Sequence, residues 1–306
     1  MSLRSHSAAR ALVLAAVLLV AGCHPGNREA MQLRDACDGN DVAACSRLAL
    51  KLERGEYVLR DVGHAAVLYQ RACDGRVGDG CARLGALYQR GAGVKRDSAR
   101  APVLFRQGCE LGAMLGCASL GTLHLAGRAV PRDVPAAVAL FRKSCDGGDA
   151  LGCAHLGRVL AAGDAGPQNA DSAARLLKRS CDEEIVAGCV GLGRLHAAGL
   201  GMPRSDSLAL ELYRDACNTD DPEGCYELAS VYATGRGTTQ RSSRAADLYE
   251  ESCQGGYAAA CADLAVVYER GAGVRPDPKK VVDLRKRACA LGRTELCAPP
   301  NAGGAS

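Results

Sequence analysis

A strict register of cysteine pairs constrains this chain more than any other feature. Two cysteines stand eight positions apart at Cys37/Cys45, Cys73/Cys81, Cys109/Cys117, Cys145/Cys153, Cys181/Cys189, Cys217/Cys225, Cys253/Cys261 and Cys289/Cys297. The first members of successive pairs are always 36 residues apart. Self-similarity at such a period means an array of like units, each contacting its neighbours, rather than ordinary globular domains. Free thiols at this density would be a liability, so the pairs imply disulfides and an oxidising compartment. Zinc is the rival explanation. It usually shows C-x2-C or mixed Cys/His clusters, and this chain has no C-x2-C and no histidine beside most pairs. No metal and no cofactor is expected.

One unit reads from Gly78 to Gly112. Cys81, Leu84, Leu87 and Tyr88 follow a helical period. Gly91-Ala-Gly-Val94 breaks that helix, and Asp97 is placed to cap a second one. Ala101, Leu104, Phe105 and Gly108 again share one helical face, and Gly112 suits the left-handed position after a helix. We term the two helices A and B. The A-helix leucine recurs as Leu48, Leu84, Leu120, Leu156, Leu192, Leu228 and Leu264, each followed by Gly or Ala. Small residues there predict a close approach of neighbouring helices. A loop glycine recurs at Gly55, Gly91, Gly127, Gly163, Gly199, Gly235 and Gly271, which predicts a positive φ. The B-helix leucine is mostly followed by an aromatic residue: Tyr69, Phe105, Phe141, Tyr213 and Tyr249. Expected B-helix caps are Asp61, Asp97, Asp133, Asn169, Ser205 and Asp277, with Ser242 or Ser243 replacing Arg241.

Such hairpins predict an all-α fold, a right-handed α-solenoid of tetratricopeptide-like helical pairs without a deep globular core. Aromatic residues make up only 4% of the chain, so Ala and Leu must fill the helix contacts. The expected organisation is a signal peptide over 1–22, a tether over 23–29, the solenoid over 30–297 and a small polar tail over 298–306. An N-terminal helix is expected at about 29–38.

Two disulfide schemes fit the spacing. Bonds can join residues eight apart, or span a hairpin as in Cys81–Cys109. Helix rise does not choose, because both cysteines of a hairpin lie near the same end. The long scheme strands Cys37 and Cys297, whereas the local scheme uses all sixteen register cysteines, so local pairing is expected.

The seventeenth cysteine, Cys23, stands outside the register. Arg4 and Arg10 precede an apolar run from Ala11 to Val20, the layout of an export signal. That run is shorter than the ~20 residues a membrane span needs. Val20-Ala-Gly-Cys23 resembles the lipobox of bacterial lipoproteins. The resemblance implies that Cys23 is lipidated and anchors the chain, with firm attachment from several acyl chains. His24 rather than Asp follows, which by the sorting rules of lipoproteins implies the outer membrane, facing the periplasm. Secretion is the alternative.

Leu84-Gly85, Tyr88, Gly91, Gly93, Val94, Ala101, Leu104 and Phe105 resemble the Sel1-like repeat, and the cysteine register is similar to that of its cysteine-rich Hcp-type members. The resemblance covers residues 30–297 and implies a scaffold that binds proteins or peptides. Some cysteine-rich relatives are described as binding or hydrolysing β-lactams, which is the alternative function. The serine enzymes of that chemistry need S-x-x-K, S-D-N and K-T-G, and none occurs here. Nor do the six histidines form a zinc cluster with neighbouring ligands: His124 and His196 take the slot of Tyr88, Tyr232 and Tyr268, where packing is expected, and His64 is expected to be exposed.

Binding has more support. A-helix positions two, five and nine after the second cysteine share a face and vary in identity. They carry Arg47, Arg54, Arg83, Arg90, His155, Arg158 and Arg194, then Glu227, Asp263 and Arg270. In α-solenoids the A helices commonly line the concave surface. The basic N-terminal stretch predicts an acidic protein or peptide partner. A net charge of +4 spread without like-charge runs argues against nucleic acid.

Overall fold

The computed structural model describes residues 25–164 and 169–297. The signal segment, Cys23 and the tail over 298–306 lie outside the described residues. Every regular element described is helical. The chain divides into two compact units, one ending at Gly152 and the other beginning at Cys153. The first holds α1 (Pro25–Asp38), α2 (Val42–Arg54), α3 (Val62–Asp74), α4 (Gly78–Arg90), α5 (Arg100–Glu110), α6 (Met114–Ala126) and α7 (Val134–Asp146). The division falls inside α8 (Ala150–Ala162). The second unit holds α9 (Ala170–Asp182), α10 (Val186–Ala198), α11 (Asp206–Asn218), α12 (Pro222–Thr234), α13 (Ser242–Gln254), α14 (Ala258–Arg270), α15 (Pro278–Ala290) and a 3-10 turn at Thr294–Leu296. Even-numbered helices are the A helices, and odd-numbered ones from α3 are the B helices. In each unit every helix packs on the next in chain order, and α4 also reaches α6, as α10 reaches α12. These are stacked helical hairpins, the α-solenoid arrangement. No helix of the described residues is long and apolar enough to cross a membrane.

The N-terminal helix starts earlier than its sequence suggests. Residues 25–29, expected as tether, form the first turn of α1. Pro25 suits a helix start because its missing N–H and fixed φ cost nothing there. Glu29 also pairs with Lys51 at 3.0 Å, tying that turn to α2.

The core is built by one exchange of volume between the helices of each hairpin. The B-helix aromatic residues Tyr69, Phe105 and Phe141 are fully buried, and Tyr213 is nearly so. Leu140 and Leu212, beside two of them, are only half-buried. The aromatic ring is therefore the main B-helix core residue, and the small residue after the A-helix leucine makes room for it. A Cβ on Gly85 would lie 2.9 Å from the Phe105 ring, one on Gly121 2.8 Å from Phe141, and one on Gly193 2.6 Å from Tyr213. In the hairpin where Leu177 replaces the aromatic, Gly157 faces it the same way, at 2.7 Å.

The joints between hairpins are closed by the local disulfides. Cys37–Cys45, Cys73–Cys81, Cys109–Cys117, Cys181–Cys189, Cys217–Cys225, Cys253–Cys261 and Cys289–Cys297 are bonded, with Cα–Cα distances of 4.4 to 4.9 Å. The pair Cys145 and Cys153 straddles the division between the units. So close an approach needs a small residue, which is why Gly80, Gly116, Gly152, Gly188 and Gly224 precede second cysteines. A Cβ on Gly116 would lie 2.7 Å from the Phe105 carbonyl oxygen. The third residue after each first cysteine is left-handed, and it accompanies a Schellman bond such as Val77 N–H to the Ala72 carbonyl at 2.9 Å. Glu184 holds that position at φ 60. Glu184→Gly is therefore expected to stabilise the C-terminal unit by about 1 kcal/mol. Gly256→Ala is expected to cost a similar amount, because nothing crowds a Cβ there and only φ is at issue. Thermal melts followed by circular dichroism check both signs.

The loop glycines are left-handed as expected, with φ from 62 to 77. The second loop glycine has a different task. A Cβ on Gly93 would lie 2.5 Å from the Val62 carbonyl carbon, so the loop rests on the first turn of the preceding B helix. At the N-terminal end the two sides swap. Tyr57 takes the loop slot with φ 58, and Gly26, in the slot of Val62, lies against its ring.

Asp61, Asp133, Asn169, Ser205 and Asp277 cap their B helices as expected, each accepting from a first-turn N–H. Asp97 differs: α5 begins only at Arg100, its cap position is Ala99 without a side-chain bond, and Asp97 accepts from the Ala99 and Arg100 N–H groups from ahead of that cap. Arg241 is different from the sequence expectation. Ser242 is the first helical residue of α13, and no side chain caps that end. α5 has only 11 residues because Pro102 cannot sit five residues into a helix without clashing with the Ser98 carbonyl.

Candidate interaction surface

The variable A-helix positions fall into two electrostatic regimes, one in each unit. Residues 25–152 carry 18 Lys and Arg against 14 Asp and Glu, whereas residues 153–297 carry 18 against 20. In the N-terminal unit Arg47 is exposed and Arg83 half-buried. They hold the same slot on α2 and α4, 36 residues apart, and neither has an ion-pair partner among the described residues. Arg90 pairs with Glu53 at 2.8 Å, and Arg54 pairs with Glu56 at 3.1 Å. Glu53 also accepts the Tyr69 hydroxyl at 2.9 Å.

In the C-terminal unit the arginines are tied down. Arg158 makes a two-pronged bond to Glu223 at 2.7 and 3.0 Å. Arg194 bonds Glu223 at 2.7 Å and, through Nε, Glu227 at 2.7 Å. The chain α8–α10–α12 is thus linked by alternating charges. Bidentate pairing of this kind fixes geometry as well as charge. Partial burial acts to lower the Arg194 pKa, but Glu223 and Glu227 outweigh it and hold the guanidinium above its ordinary value. Of the basic residues singled out from the sequence, Arg158 and Arg194 are therefore internal cross-links, while Arg47 and Arg83 present open charge. His155 is half-buried on α8.

Beyond this ladder lies a tyrosine cluster that the sequence reading did not single out. Tyr226 stands 5.0 Å from Tyr257 and 5.7 Å from Tyr249, ring centre to ring centre. The Tyr226 hydroxyl donates to Asp263 at 2.9 Å. Such tilted pairs add to the burial energy of the rings. Its signal lay in the departures from the repeat: Tyr226 occupies a slot that elsewhere holds small or aliphatic residues such as Ala82 and Val190, and Tyr257 one that before the other A helices holds Asp, Val, Ala or Ile. Burial, reinforced by Glu227 at Tyr213, Asp263 at Tyr226 and Glu223 at Tyr257, raises the phenol pKa of all three; burial with Asp263 pushes Tyr249 up to about 12. Burial and Glu53 raise that of Tyr69. Between about pH 10 and 12 the unfolded chain loses phenol protons that the native chain keeps. Native stability should therefore fall as pH rises through that window. Urea midpoints measured across it should decrease steadily; a flat profile would contradict the burial of these hydroxyls.

His124 and His196 are half-buried, and His64 is exposed. His124 Nδ1 lies 3.3 Å from the Pro131 carbonyl oxygen. The one group of metal-type donors among the described residues is Cys217, Cys225 and Glu251, and its two sulfurs are bonded to each other. A disulfide offers no thiolate to a cation.

Comparison with known proteins agrees with this geometry. The family model of the Sel1 repeat matches seven times, at residues 42–76, 78–112, 115–149, 150–184, 186–220, 222–257 and 258–292. No curated protein sequence matches the chain. A Sel1 repeat protein from Oxalobacter formigenes is similar in structure, with 21% identity, 80% of this chain and 96% of that one covered, and a TM-score of 0.61. So is c5321, a protective antigen of uropathogenic Escherichia coli with an SLR fold, at 24% identity and a TM-score of 0.54. That match covers 87% of this chain but 57% of the antigen, so the chain spans little more than half its length. The cysteine-rich protein HcpB of Helicobacter pylori is 28% identical over 43% of this chain and 97% of its own, with a TM-score of 0.35. Seven consecutive matches over the body of the chain, on stacked hairpins of the matching period, show that the chain belongs to the Sel1-repeat family.

Proposed function

We propose that this protein is a lipid-anchored scaffold of the bacterial envelope that binds an acidic protein or peptide through the A-helix face of its N-terminal unit. The observation that carries the binding reading is the pair Arg47 and Arg83. They lie one repeat apart without an ion-pair partner among the described residues, in a unit with surplus cations, whereas Arg158 and Arg194 are bound to internal carboxylates. Charge displayed at a repeat spacing is what an extended acidic segment can follow. A fluorescein-labelled Glu-rich peptide should bind in an anisotropy titration, more weakly at high salt. Arg47→Glu with Arg83→Glu should weaken it at least about ten-fold. Arg214→Glu, exposed on α11, should not. Equal binding by all three proteins would remove the reading.

Anchoring is supported by the lipobox-like Val20-Ala-Gly-Cys23 and by the absence of Cys23 from the 36-residue register. Tritiated palmitate should label the wild-type chain in the outer membrane fraction and not the Cys23→Ser variant. Labelling of both would place the lipid elsewhere.

A further inference from the structure

One slot on the B-type helices is apolar and open throughout the first hairpins. Met31 on α1, Val67 on α3 and Val103 on α5 are 36 residues apart, and they are 53%, 65% and 60% exposed. In the C-terminal unit the same slot holds Arg175, Glu211, Asp247 and Asp283. The repeat therefore does not require an apolar residue there. A single exposed valine is ordinary, but one slot left apolar and exposed on three successive B-type helices is a recurrent feature of the kind that marks an interaction surface. Tyr57 extends it. Its ring is 53% exposed and lines one hollow with Met31 and Arg34. It does so from a left-handed backbone position, φ 58, where a large side chain is strained and where most hairpins place glycine.

Arg34 and Arg106 lie three residues after Met31 and Val103, on the same helical face. Both are exposed and have no ion-pair partner among the described residues. An apolar stripe edged by long cationic side chains matches a lipid interface: the rings and aliphatic groups enter the headgroup boundary and the guanidinium groups meet phosphate.

We propose that this face of the N-terminal unit rests on a bilayer surface containing anionic phospholipid. The proposal draws on the anchor reading in one respect: Cys23 lies two residues before α1, so its acyl chains would hold Met31 at the membrane. A weak surface contact becomes effective once tethering supplies a high local concentration. The C-terminal unit, with three carboxylates in the slot, is repelled by the same surface.

The test uses the mature chain carrying Cys23→Ser, which has no lipid of its own. It should cosediment with phosphatidylcholine vesicles containing phosphatidylglycerol and much less with phosphatidylcholine alone. Met31→Ser, Val67→Ser and Val103→Ser together should lower the bound fraction at least about ten-fold. Arg34→Glu with Arg106→Glu should do the same, and circular dichroism melts should be unchanged in both variants. Failure of the parent to bind anionic vesicles, or equal binding by the triple-serine variant, overturns the proposal. So does a dimer in analytical ultracentrifugation that the triple-serine variant abolishes, since the stripe would then face a second copy. Palmitate labelling is read separately: vesicle binding without labelling removes the anchor and keeps the surface.

Discussion

Cys73→Ala combined with Cys81→Ala is expected to destabilise the N-terminal unit by up to about 2.5 kcal/mol, the loop-entropy value for a ring of about nine residues. Both sulfurs are buried, so replacing the two together avoids leaving a lone thiol in the joint. The effect should be large because of where the bond lies. The disulfide joins the end of α3 to the start of α4, and hairpins in a solenoid are held only by their neighbours. Loosening one joint therefore frees a boundary that no distant contact restrains. On the usual scaling, the melting temperature should fall by about 5–10 °C. Full reduction removes every such constraint, and the far-UV signal at 37 °C should then fall towards that of an unfolded chain. A double variant that melts within about 2 °C of wild type, a change of about 1 kcal/mol or less, would show that helix packing alone carries the joint.

The repeat makes much of this architecture readable from the sequence alone. Because each position is sampled seven times, Gly91 can be recognised as a backbone requirement and Leu84 as core without help from tertiary structure. The disulfide pairing follows from the register cysteines, all sixteen of which the local scheme uses. What the register hid was everything that depends on two hairpins at once. Arg158 and Glu223 are 65 residues apart, and only stacking of the A helices brings them together. Read along the chain, Arg158 and Arg194 belong with Arg47 and Arg83; in space they are neutralised and the other two are not. The start of α1 was hidden for a similar reason. Pro25 and Gly26 look like tether residues until Tyr57 is placed against them, where the glycine is needed as a contact and not as a hinge. Pro102 was visible, but its effect on α5 is a clash with a carbonyl four residues back and not a break in hydrophobic period.

Phe105→Ala is the second change with a large expected effect, about 3–5 kcal/mol for emptying a fully buried aromatic site. Its informative partner is Gly85. Alone, Gly85→Ala sets a methyl 2.9 Å from two ring carbons of Phe105 and should destabilise. The cost is expected near the low end of overpacking, about 1 kcal/mol, because two hairpins with a B-helix aromatic residue already carry alanine in that slot. Ala49 accompanies Tyr69 and Ala229 accompanies Tyr249, and each of those rings has a hydroxyl partner, Glu53 for Tyr69 and Ser230 for Tyr249, to hold its position. Phe105 has no hydroxyl and must yield by shifting. With Phe105→Ala in place the same methyl enters an empty site, and alanine is the better helix former by up to about 1 kcal/mol. Gly85→Ala should then change sign and stabilise. A double-mutant cycle by urea denaturation reads this as a coupling of about 1–2 kcal/mol. Simple additivity of the two substitutions would mean that the glycine serves the backbone of α4 and not the ring, and the exchange of volume between A and B helices would lose its basis as the rule that builds each hairpin.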